Sequence, residues 1–165
     1  MNKKIGIYPG TFDPITNGHL DIIIRSMKIV DTLIISIANN SNKKPLFSID
    51  ERISMIKKDI SSIKIAKNKL INVTKFNGLL TNFAKKNKAN CIIRGLRAVS
   101  DFEYEFQMTG MNYRLNSNIE TIFLMSTEKN LFISSNFIKE VHYLGGNVNN
   151  FVSQFVLKQL NKKNK

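Results

Sequence analysis

The sequence predicts an α/β protein built on a five-stranded parallel sheet with helices on both faces. Short apolar runs alternate with segments whose apolar residues recur at helical spacing. The run Leu33-Ile34-Ile35-Ser36-Ile37-Ala38 is continuous rather than alternating, as a strand covered on both faces requires. No repeat or Pro/Gly/Ser-rich linker divides the 165 residues, so residues 1–165 read as one domain.

Each element follows in order. Ile5-Gly6-Ile7-Tyr8 is short and bounded by Pro9-Gly10, which makes it a first strand, and Leu20, Ile23, Ile24 and Met27 mark the apolar face of the helix after it. Leu33 to Ala38 is the second strand. Ser48 and Glu51 have capping-box spacing, and Ile49, Ile53, Ile56 and Ile60 give the next helix its apolar face. Leu70 to Val73 is a weaker third strand and Leu79 to Lys86 a short helix, while Cys91-Ile92-Ile93 is a fourth strand that stops at Arg94-Gly95. Ser100 and Glu103 repeat the capping-box spacing. The helix they open carries two apolar stripes, Phe102/Phe106/Thr109/Tyr113 and Tyr104/Met108/Met111/Leu115, so it reads as buried on two sides, either inside the fold or against another subunit. Ile119 to Met125 is a fifth strand, and helices near Phe137 to Leu144 and Val148 to Leu160 close the chain. The sum is a doubly wound, Rossmann-like sheet, whose ligand belongs beyond the carboxyl ends of the strands.

Composition narrows the function. Lys and Arg number 25 against 12 Asp and Glu, a formal charge of +13 that favours an anionic partner. The lysines are scattered and no aromatic-interleaved basic stripe occurs, so phosphorylated small molecules are preferred over nucleic acid. Neither a signal-peptide pattern nor a run of about 20 apolar residues is present, and a soluble, cytoplasmic protein without a membrane partner is expected. The lone Cys91 lies in an apolar run and reads as a small buried side chain.

Three constellations fall at the carboxyl ends of strands. Thr16-Asn17-Gly18-His19 stands where a loop enters a helix, so backbone N–H groups and a histidine ring can meet a phosphate there; a turn with a structural histidine has the same spacing. Arg94-Gly95-Leu96-Arg97 presents two guanidinium groups suited to bidentate phosphate contacts, with acids at Asp101, Glu103 and Glu105 close enough to order them. Ile133-Ser134-Ser135-Asn136 offers hydroxyls for a helix cap or for phosphate oxygens. His142 has no second ligand at metal spacing and reads as a surface or packing residue. Walker A, G-x-G-x-x-G and G-x-S-x-G signatures are all missing, which removes the main support for P-loop ATPases, dinucleotide-binding dehydrogenases and serine hydrolases.

Taken together, Tyr8 to His19, Ile93 to Ala98 and Asp101 to Glu105 resemble the bacterial phosphopantetheine adenylyltransferases, and Thr16 to His19 resembles the T/H-x-G-H signature of the nucleotidyltransferase superfamily. The resemblance continues in order through Lys43-Lys44-Pro45, Asn82-Phe83-Ala84, Phe123-Leu124-Met125 and Ile133-Ser134-Ser135. It implies transfer of AMP from ATP to 4′-phosphopantetheine, with Mg²⁺ arriving on the ATP phosphates and a homohexameric assembly. It also implies that His19 is catalytic and stabilises charge at the α-phosphate. ATP contacts would come from Thr11, Phe12, His19, Gly95, Leu96, Arg97 and Glu105, and from Asn130, Leu131, Phe132, Ile133, Ser134, Ser135 and Asn136 closing over the nucleotide. Thr11, Lys43, Leu80 and Arg94 match the positions that bind 4′-phosphopantetheine. Asn130 and Asn136 depart from the family's usual aromatic and hydroxyl residues, which implies altered ATP affinity rather than lost activity. A related nucleotidyltransferase acting on nicotinate mononucleotide or a phosphorylated alcohol, a regulator that binds ATP without turnover, and a basic nucleic-acid-binding protein are the competing readings.

Overall fold

The computed structural model describes residues 3–39, 44–64, 66–97, 99–131 and 133–164. The elements run β1 (Ile5–Gly10), α1 (Asn17–Ser26), β2 (Thr32–Ala38), α2 (Ile49–Ile60), β3 (Leu70–Phe76), α3 (Leu80–Lys86), β4 (Cys91–Leu96), α4 (Val99–Leu115), β5 (Glu120–Met125), α5 (Ser135–Tyr143) and α6 (Gln154–Lys163). The strands form one parallel sheet in the order β3-β2-β1-β4-β5, as the alternation of periods predicts. No helix among the described residues is long and apolar enough to cross a membrane.

Successive strand residues point to opposite faces, and the core divides accordingly. Tyr8, Leu33, Ile35, Ile37 and Ile93 meet Ile23 of α1, Ile56 of α2 and Val156 of α6 on one face. Ile7, Ile34 and Ile92 meet Ala84 of α3 on the other. Cys91 is buried with the first group, as its apolar neighbours suggested.

Several expectations need correction. β4 does not stop at Ile93 but continues through Arg94-Gly95-Leu96, because its pairing with β5 runs on to Leu96↔Met125. In α1, Ile24 is exposed while Ile22 and Ile23 are buried, a rotation of the expected stripe. In α2 the buried face is Arg52, Met55, Ile56 and Asp59; the isoleucines at 49, 53 and 60 only flank it, since two buried polar side chains with partners hold the inward positions. The last helix begins at Gln154, capped by Ser153, because Val148 and Val152 are buried in the turns before it.

The largest correction concerns α4. Seven of its large apolar residues are exposed, from 41% at Met108 to 65% at Phe106, so the helix is not internal to this chain. Its less exposed side is Asp101, Glu105, Thr109 and Asn112, spaced for one helical stripe. The polar stripe faces inward because two arginines of the strand edge pair with it. The Ser100 cap expected for α4 depends on a side chain outside the described residues.

Candidate active site

The sheet changes direction between β1 and β4, the place where an open α/β sheet holds its ligand. β1 pairs with β2 from Ile5↔Thr32 to Gly10↔Ile37 but with β4 only at Gly6↔Cys91 and Ile7↔Ile92. Beyond Ile7 the two strands part, and a cleft of about 700 Å³ opens at their carboxyl ends. Gly95 brings α1 against this edge: a Cβ there would meet Ile22 Cγ1 at 3.2 Å.

The N-terminus of α1 forms the floor. Thr16 caps the helix by accepting from the His19 N–H at 3.3 Å, and the Thr16 N–H donates to His19 Nδ1 at 3.1 Å. A backbone N–H can only donate, so Nδ1 is bare and the ring proton sits on Nε2. Phe12 and Tyr8 pack about the imidazole, with ring centroids 5.0 and 6.5 Å away. Burial, and secondarily the charge of Arg97, lower its pKa from 6.5 to about 4. His19 is therefore a neutral hydrogen-bond donor at neutral pH. The first helical N–H, at Asn17, donates to Phe151 O, whereas that of Gly18 has no acceptor among the described residues and lies at the cleft surface. The capping box thus fixes the tautomer, and the helix terminus adds a donor beside it.

Two walls flank this floor. On the β4 side, Arg94 grips Glu105 with both Nε, at 2.7 Å to Oε2, and Nη2, and its Nη1 donates to Pro9 O at 3.0 Å. Arg97 makes a similar pair with Asp101, at 2.9 and 3.3 Å. On the β2 side, Asp13 is buried and accepts from the N–H groups of Leu46 and Phe47, both at 2.9 Å, and from Lys139 Nζ at 2.7 Å. Beneath it the buried Arg52 donates to Thr11 O and Phe47 O.

Of the residues singled out by sequence, Thr11, Phe12, His19, Arg94, Gly95, Arg97, Glu105, Asn130, Ile133, Ser134, Ser135 and Asn136 line the cleft. Leu96 is buried in the sheet, Leu80 packs against the α3 face, and neither these nor Leu131 borders it. Lys43 and Phe132 lie outside the described residues. Ser134 caps α5 by accepting from the Phe137 N–H, and Ser135 Oγ donates to Pro14 O at 2.8 Å, while both remain at the cleft. His142 packs rather than reacts, bonded to Asn161 and Asn164 of the α6 end. Sequence reasoning passed over Asp13, Arg52, Lys139 and Tyr8. The signal for Asp13 was a carboxylate between Phe12 and Pro14 in a loop whose chemistry calls for cations; Arg52 and Lys139 left none, since helical lysines and arginines are usually solvated.

Residues 7–141 match the family model described as cytidylyltransferase-like, and this sets the class. The chain is 56% identical to a phosphopantetheine adenylyltransferase of Wolbachia pipientis subsp. Culex pipiens, over 97% of this chain and 93% of that protein. It is 54% identical to that of Rhodospirillum centenum, over 97% and 87%, and 51% identical to that of Pelagibacter ubique, over 98% of each. The chain belongs to the cytidylyltransferase-like family and, within it, to the phosphopantetheine adenylyltransferases. Its fold is shared with a putative nicotinate-nucleotide adenylyltransferase from Vibrio parahaemolyticus, at TM-score 0.69 and 16% identity over 99% of this chain and 95% of that one.

Proposed function

We propose that this enzyme transfers the AMP part of ATP to the phosphate of 4′-phosphopantetheine, giving dephospho-coenzyme A and pyrophosphate in coenzyme A biosynthesis. The observation that carries the chemistry is the neutral, Nε2-protonated His19 beside the Gly18 N–H, which has no acceptor among the described residues, on the floor of a cleft at the sheet's switch point. The choice of acceptor follows the relatives at 51–56% identity.

A phosphate monoester is already nucleophilic at neutral pH, so the reaction needs alignment and charge stabilisation more than a base. An acceptor phosphate oxygen attacks the α-phosphorus in line, the bond to the bridging oxygen breaks, and pyrophosphate departs with that electron pair. His19 donates through Nε2 to the α-phosphate as negative charge gathers there, without needing to gain or lose a proton. Arg94 and Arg97 stand at the cleft, held by their carboxylate partners, with Arg94 on the acceptor side and Arg97, Gly95 and Glu105 on the nucleotide side. Lys43 and Leu80 belong to the acceptor by family resemblance, and the segment 130–136 to the nucleotide.

No acid cluster among the described residues stands ready for a divalent cation, so Mg²⁺ would arrive on the ATP phosphates. Asp13, Asp101 and Glu105 are all engaged with N–H or cationic partners, leaving Mg²⁺ to be held mainly by triphosphate oxygens. Bound in this way, Mg²⁺ offsets triphosphate charge. The outward apolar stripes of α4 support a contact between subunits, for which the family resemblance supplies a homohexamer, and the cytoplasm is the proposed location.

The deciding experiment is pyrophosphate release with ATP and Mg²⁺, comparing 4′-phosphopantetheine, nicotinate mononucleotide and no acceptor. Release with 4′-phosphopantetheine alone, together with dephospho-coenzyme A by mass, is the expected result. Release with nicotinate mononucleotide instead would overturn the acceptor, and ATP binding without release would overturn the enzyme.

A further inference from the structure

We infer that Asp13 is a positioning residue for the acceptor half of the cleft and that Lys139 acts through it; this rests on the adenylyl-transfer reading above. Asp13 is only 3% exposed, and each of its oxygens is engaged: Oδ1 by the Phe47 N–H, Oδ2 by the Leu46 N–H and by Lys139 Nζ. A carboxylate with three donors is a poor base and has little left for a metal ion. What it does is join segments. Leu46 and Phe47 follow Lys44-Pro45, which line the cleft. Lys139 lies one turn beyond Ser135, whose hydroxyl is bonded to Pro14 O. The dipeptide Asp13-Pro14 therefore ties the loop after β1 to the loop after β2 and to α5.

Arg52 completes the tie from below. Its guanidinium bridges Thr11 O at 2.8 Å and Phe47 O at 3.1 Å, so the same two loops are joined twice, by buried side chains of opposite charge. Thr11 and Lys44, both of which line the cleft, stand within a few residues of these bonds. The tie reaches Thr11, Lys44 and, through Ser135, the start of α5, while Gly95 and Arg97 of the β4 wall have no bond to it, so loosening it acts on the acceptor groups more than on the nucleotide groups of β4.

The test uses the full chain as wild type, Asp13→Asn, Lys139→Met and the double variant. Steady-state constants are measured for both substrates, with calorimetric Kd for 4′-phosphopantetheine. Asparagine keeps the size but turns an NH₂ toward donors. For Asp13→Asn the acceptor KM and Kd should rise about tenfold or more, and by severalfold more than the ATP KM, because misplaced positioning groups cost that much in bound geometry. The double variant should be no worse than Asp13→Asn, as for residues acting as one unit.

Equal loss for both substrates would mark a general structural role and overturn the inference. Multiplying effects in the double variant would overturn it too, by showing that Lys139 meets the substrate itself. Should Asp13→Asn fail to fold, Lys139→Met decides: an acceptor KM raised about threefold or more, and by more than the ATP KM, supports the tie, and an unchanged acceptor KM refutes it. Wild-type protein without turnover fails the functional reading itself, whereas wild-type turnover with indifferent variants fails only this inference.

Discussion

The two walls of the cleft hold opposite charges in opposite places. On the β4 side the cations stand at the strand end and the acids on α4, and the outer pair is open to water: Arg97 and Asp101 side chains are 40% and 29% exposed, against 28% and 13% for Arg94 and Glu105. On the β2 side the acid stands in the strand loop and is buried, with the lysine reaching in from α5. An exposed pair gains little net energy and exchanges partners readily, whereas a buried pair broken from one side leaves an uncompensated charge. Arg97 of the first wall can therefore be released to an incoming phosphate, whereas the buried pair of the second wall holds shape.

The largest effect should come from the floor between the walls. His19→Ala is expected to lower kcat on the order of 10²–10³-fold, as for loss of one donor to a developing oxyanion. Circular dichroism should show an unchanged fold, and near-normal turnover would remove His19 from its role. The walls themselves separate in stability. Asp13→Ala should cost about 3 kcal/mol in chemical denaturation and Asp101→Ala under about 1 kcal/mol, and equal losses would erase the contrast between them.

A smaller effect should appear with pH. Unfolded His19 takes a proton near 6.5 and the folded residue only near 4, so between those values the unfolded state binds more protons. The stability this residue contributes is complete above about pH 6.5 and is lost as pH falls toward 4. Denaturation of wild type and His19→Gln across that window should show their difference shifting in that direction. The finest test is spectroscopic. Ring nitrogen shifts should report a neutral, Nε2-protonated His19 in the free protein at pH 6, and ATP should raise its pKa, because a nearby anion favours the imidazolium.

The strands were legible because parallel, doubly covered strands leave continuous apolar runs, which is why Leu33 to Ala38 needed no partner to be recognised. The floor was legible as well, since a capping residue, a glycine and a histidine at fixed spacing describe a helix N-terminus. The acid-bearing helix was not. Periodicity assumes that apolar stripes turn inward, and α4 turns its carboxylates inward because Arg94 and Arg97 stand on the facing strand edge. The same pairing hid the end of β4, where charged residues were read as the start of a loop. Asp13 and Arg52 escaped for a related reason: a buried charge is identified only by partners that are remote in sequence, here Lys139 for one and Thr11 for the other.

The thin seam between β1 and β4 also bears on synthesis. Residues 5–76 contain β1, β2 and β3 with long paired registers, so three of the five strands can assemble from near neighbours as the chain leaves the ribosome. β4 arrives later and joins β1 at Gly6 and Ile7. Until it does, the free edge of β1 is available to other chains and Gly95 is missing from beside Ile22. The cleft thus forms only once β4 and α5 have joined the sheet, and a truncated product that ends before residue 91 would keep part of its core while having no cleft.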